Sequence, residues 1–153
     1  MKLTGILFAL LLQLIVQGQS IKAYKSGPRV LTFAEQEYGR VQVKVKSGSY
    51  TLVAYTPDSL FSMEYGVDDV HPLYTFRGDL RLNRAACDSI IISSNDTIVM
   101  RVMHGEKWTR ERPYMGQLTI RPFLIYLEAI VKVPISNYIA GVVEAEGGLS
   151  PEP

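Results

Sequence analysis

A single cysteine, Cys87, stands among 153 residues, so no disulfide can close within the chain. Its surroundings, "NRAACDSI", offer only Arg84 as a basic neighbour, whereas a catalytic thiolate needs a histidine or cation beside it. A buried structural thiol is expected. A surplus of one charge is also missing: 16 basic residues face 15 acidic ones, and loss of Lys2 with a leader would level the count at 15. Without a basic excess there is nothing to meet a phosphate backbone, which excludes nucleic acid as a partner. The two histidines, His71 in "DVHPLY" and His104 in "VMHGEKW", have no acidic or histidine partner at a ligand spacing. Neither a metal nor any other cofactor is expected. Long apolar runs are absent too. The one candidate, Gly5 to Val16, falls short of the ~20 residues a spanning helix needs and is interrupted by Gln13. No cysteine follows it to carry a lipid, so no stable membrane anchor is expected.

That short apolar run has a use. Lys2 precedes it, and Gly18 and Ser20 follow at the spacing of a cleavage site, so residues 1–20 read as an export signal cut at or near Ser20. The protein is expected in the periplasm or cell envelope. Residues 21–28 form a lead-in, and the remainder, 29–153, carries no internal repeat, low-complexity tract or linker. A composition of 47% hydrophobic and 20% charged residues is that of one folding domain.

Between residue 29 and residue 130, short apolar stretches of period two are broken by turn formers about every ten residues, the pattern of antiparallel strands. Val41, Val43 and Val45 alternate with Gln42, Lys44 and Lys46; Ser47 to Ser49 turn the chain, and Thr51 to Tyr55 lead back. This predicts a hairpin with one wet face. A second is expected where Ile90 to Ile92 and Ile98 to Val102 flank the polar turn Ser93 to Asp96. That turn also explains Asn95-Asp96-Thr97, which matches a glycosylation acceptor. In "PYMGQLTIRPFLIYLEAIVKVP" the spacing predicts two adjoining strands with a break at Arg121-Pro122. Trp108, Tyr114 and Tyr138 could stack on sugar rings, but aromatic residues in strand-rich sequence are usually core, so Trp108 and Tyr114 are expected to pack inside. The charged run Gly105 to Pro113, with Lys107, Arg110 and Arg112, reads as a solvated loop.

After Pro134 the period changes. Ser136 or Asn137 can cap a helix, Tyr138 with Val142 and Ile139 with Val143 fall four apart, and Gly147-Gly148 ends the run. The expected fold class is therefore α+β, mainly antiparallel β with a short helix over 137–146 at the C-terminal end. Tyr138 should wedge that helix against the sheet. Glu146 lies three and four residues after Val143 and Val142, on the apolar stripe. Desolvation and the negative end of the helix dipole would both raise its pKa and keep it protonated for donation to a leaving oxygen. Spacing alone leaves a second reading open, a solvent-facing glutamate of the last turn. Glu144 is no partner, because residues two apart point in different directions, so the facing pair of hydrolytic glycosidases is absent.

The stretch "VPISNYIAGVVEAE", Val133 to Glu146, resembles the Val-Pro-Leu-x-x-Tyr-x-x-Gly-Val-Val-x-x-Glu motif of the SpoIID/LytB family, the stage II sporulation protein D domain of bacterial cell-wall proteins. Pro134, Tyr138, Gly141, Val142, Val143 and Glu146 match it. Upstream, "RERPYMGQLTI" is similar to that family's Arg-x-Tyr-x-Gly-x-Leu-x-Val strand. The likeness covers 29–153 in layout and 112–146 in motif, so the chain would hold the N-terminal part of such a domain. The resemblance implies lytic transglycosylation of peptidoglycan glycan strands, with Glu146 as acid and then base. The acid protonates the oxygen between two sugars, then takes a proton from the muramic C6 hydroxyl, closing an anhydro ring without water. One carboxyl suffices. Two departures stand out: Gly147 and Gly148 replace the family's Met-Pro, and the family domain runs well past the position of Pro153. The sequence is therefore expected to be a fragment, inactive until complete. The rival reading is a non-catalytic peptidoglycan-binding or amidase-enhancing module with other cell-wall hydrolases as partners; a β-rich structural module is a third.

Overall fold

The computed structural model describes residues 27–67 and 69–140. The expected export signal, most of the expected lead-in and everything after Ala140 lie outside those residues. Within them, thirteen strands numbered in chain order form two antiparallel sheets. The first holds, in spatial order, β1 (Arg29–Thr32), β13 (Tyr126–Lys132), β12 (Gln117–Phe123), β8 (Ser89–Ser94), β3 (Ser49–Tyr55) and β4 (Leu60–Gly66). The second runs β10 (Lys107–Trp108), β9 (Ile98–His104), β2 (Arg40–Val45), β5 (His71–Phe76), β6 (Asp79–Leu82) and β7 (Ala85–Cys87), with β11 (Arg112–Tyr114) also on β9. A helix, α1, begins at residue 135 and continues to the last described residue, 140. The mainly antiparallel β class with a short C-terminal helix is thus the observed one, and no described helix is long and apolar enough to cross a membrane.

The alternation seen in the sequence is the alternation of burial. In β2, Val41, Val43 and Val45 are buried while Gln42 and Lys44 stay partly wet, and they join Leu52, Ile90, Ile92, Leu118 and Ile120 of the other sheet in one core. The hairpins, however, are corrected. β2 pairs β9 and β5, whereas β3 pairs β8 and β4, so the Ser47–Ser49 turn carries the chain from one sheet to the other. The turn between β8 and β9 does the same. Local pattern fixes strand and turn but not the edge that each strand joins, and two inner faces have to close over one core. The two corners then bond each other: Lys46 donates its N–H to the Thr97 carbonyl, and the Ser94 hydroxyl donates to the Ser49 carbonyl while accepting from Asp96 N.

The expected break at Arg121-Pro122 is also displaced. β12 runs through Pro122 to Phe123, and the turn is the two-residue loop Leu124-Ile125. In that register Phe123 and Tyr126 close the hairpin, so Pro122 occupies a non-hydrogen-bonded pair with Leu127 and its nitrogen faces away from β13. β8 has already ended opposite Ile120, so no ladder bond is lost. Leu124 takes a positive φ of 56°, a place where glycine is usual, and stands 77% exposed.

Tyr38 ties the segment before β2 to β13. Its ring is buried, its hydroxyl accepts from Ala129 N at 2.9 Å, and its carbonyl accepts from Leu127 N at 2.9 Å. Burial pushes the phenol up to about 12. Because the folded value lies above the ordinary 10, this contribution is complete below pH 10 and is lost as pH rises through about 12. Tyr38→Phe is expected to cost about 1–3 kcal/mol in urea unfolding at pH 7, since Ala129 N–H loses its partner. The same change should flatten the fall in stability above pH 10.

Candidate functional site

The strand-to-helix junction 132–135 is assembled from three separated pieces of chain. β12 and β13 pair with Gln117 opposite Lys132, which brings Gly116 against the junction. Gly116 has φ +123°, and a Cβ there would lie 2.2 Å from the Lys132 carbonyl oxygen and 3.4 Å from Pro134 Cδ. On the other side, a Cβ at Gly27 would lie 2.1 Å from the Val133 oxygen, and Val133 N donates to Pro28 O. Two glycines therefore admit the backbone at consecutive carbonyls.

Pro134 then ends the strand, having no N–H for the ladder, and its carbonyl accepts from Tyr138 N at 3.0 Å as the first helical bond. The helix starts two residues earlier than the spacing predicts, and Ser136 and Asn137 sit inside its first turn rather than capping it. Asn137 Nδ2 instead reaches back to Met115 Sδ at 3.5 Å. Tyr138 does not wedge α1 against the sheet: it is 43% exposed, with Ile135 and Ile139 exposed beside it. Gly141, Val142, Val143 and Glu146 lie outside the described residues, as does the face shared by Glu146 and the two valines.

The remaining candidates settle as follows. Cys87 is a buried free thiol whose pKa is raised, chiefly by burial, so it is not activated. The His71 ring lies 3.8 Å from that of Tyr65, and His104 Nδ1 is 3.3 Å from the Glu37 carbonyl. Among the described residues no three ligating side chains gather as a metal site. Tyr114 packs half-buried against the core. Trp108 does not enter it, and lies on the outer face of the second sheet under the Arg101 guanidinium, 5.0 Å from the ring centroid. The charged run 105–113 is no free loop either. It doubles back along β9 as β10 and β11, with Thr109 bonded to Val102 in both directions and Lys44 paired to Glu111 at 2.7 Å. What sequence reading missed is that outer face, because cross-strand neighbours become visible only with the register.

Comparison with protein-family models, with curated proteins and with solved structures gave no match.

Proposed function

We propose that this chain is SpoIID/LytB-like and acts on peptidoglycan glycan strands by lytic transglycosylation, with Glu146 as the single acid and base. The observation that carries the reading is the junction. The two motif-like stretches meet where Gly116 lies against the Lys132 carbonyl and Pro134, and four motif positions have a physical task in the fold, while Tyr138 stays exposed. Arg112 covers the Phe33 ring at 4.5 Å, Tyr114 packs on the core, Gly116 admits the junction, and Pro134 starts the helix. The junction fixes where the helix begins, and general acid catalysis requires a carboxyl held at a fixed place.

The chemistry needs no second carboxylate. Protonation of the bridging oxygen by Glu146 frees the leaving sugar; the resulting carboxylate accepts the C6 hydroxyl proton as that oxygen closes on the anomeric carbon. The proton returns to the acid, and no water is consumed. The test uses the complete, uninterrupted protein and purified glycan strands stripped of stem peptides. Anhydromuramyl-ended fragments are expected, and Glu146→Gln should lack them. Undiminished fragments in that variant would end the assignment. Equal retention of both proteins on wall material, without any cleavage, would favour a binding or amidase-enhancing module.

A further inference from the structure

The register of the second sheet sets one residue from each of six of its seven strands side by side on the outer face: Trp108, Met103, Arg40, Tyr74, Arg81 and Ala86. At about 4.8 Å per strand the row extends about 24 Å across the sheet. Its inner-facing alternates, such as Val41, Leu73, Leu80 and Val102, are buried, so the row belongs to the surface.

The row carries two rings and two guanidinium groups, and Trp108 and Arg81 are held by contacts with residues beside it. Arg101, in the next row, lies over Trp108 and donates to Gln42 Oε1 at 2.8 Å. The Tyr74 hydroxyl donates to the Asn83 carbonyl at 2.7 Å, which fixes its ring. Arg77 and Arg81 both lie over Phe76, at 5.3 and 5.8 Å, and Arg81 also pairs with Asp79. Arg40, in the middle, is exposed and beside an open groove formed with Gly39, Thr75, Met103 and Glu106. Among the described residues no carboxylate pairs with Arg40 or Arg101.

We infer that this row is a docking track for an acidic glycan strand, separate from the motif helix. The choice of a glycan rests on the function proposed above. Aromatic rings pack on the C–H faces of sugar rings, and Arg40, which has no carboxylate partner among the described residues, can take a carboxylate with two parallel bonds. A bare apolar strip would suit another protein, but here charge interrupts every ring. A nucleic acid carries a phosphate at every nucleotide and needs a basic surplus along its length, which a chain with net charge +1 does not supply.

The test measures equilibrium binding of the full-length protein to glycan strands freed of stem peptides, whose lactyl carboxylates are exposed. Arg40→Glu and Trp108→Ala are each expected to weaken binding about tenfold. Amidating the carboxylates should weaken the parent protein similarly and remove the difference between it and Arg40→Glu. Arg40 is exposed, so that variant should fold even where Trp108→Ala does not, as an unchanged melting curve would verify. Binding unaltered by either folded variant would overturn the inference, and so would a single-stranded oligonucleotide that binds as tightly as the glycan. Cleavage is scored separately on the same strands. Row-dependent binding without cleavage retains the track and sinks the transglycosylase reading; cleavage with row-independent binding does the reverse.

Discussion

Exchanging Glu146 for glutamine is expected to lower the release of anhydro-ended glycan fragments by about 10³-fold or more, near the upper part of the range for losing a general acid. Glutamine keeps the volume and one acceptor oxygen but has no proton to give, so the loss should appear in kcat, with KM little changed. Glu144 provides the control. On the helix that the sequence spacing predicts, residues two apart point in different directions, so Glu144→Gln should leave the rate close to the parent's. Equal losses in the two variants would mean that bulk acidity of the segment matters, not one carboxyl.

The second large effect is predicted at Gly116. Gly116→Ala combines a φ of +123° with a Cβ 2.2 Å from the Lys132 oxygen, a backbone atom that cannot rotate away. A loss of about 3–4 kcal/mol is expected, a large share of the roughly 5–15 kcal/mol typical of a domain. It should appear as a lower urea midpoint at an unchanged slope. Gly48→Ala separates conformational strain from collision. Gly48 also has a positive φ, +70°, yet nothing lies within 4 Å of its would-be Cβ, so about 1–2 kcal/mol is expected there. Should the two substitutions cost the same, the close approach at the junction is not what Gly116 serves.

Burial was the part of this fold most legible in the sequence, and pairing the least. Val41, Val43 and Val45 announce an inner face because a strand's side chains alternate, and that periodicity survives whichever edge the strand joins. The Ser47–Ser49 turn announces only that the chain reverses. Whether it closes a hairpin or a corner depends on hydrogen bonds such as Lys46 N to Thr97 O, fifty residues away in sequence. Pro122 misled for a related reason: a missing N–H is harmful only where a neighbour needs it, and at that position β8 has already ended. At the site, Pro134 and Gly116 were visible as motif residues, but their tasks, starting the helix and admitting the Lys132 carbonyl, follow from geometry alone. The row was not legible as a unit, since Arg40, Tyr74 and Trp108 stand 34 residues apart or more and share only a register.

The most direct measurement is the mass of the sugar ends produced when the complete protein acts on stem-peptide-free glycan strands. If Glu146 protonates the bridge and the C6 oxygen closes the ring, the new muramic ends will be one water lighter than hydrolytic ends, and glutamine at position 146 will suppress them. Ends carrying the added water, or light ends produced equally by that variant, would contradict the proposed chemistry.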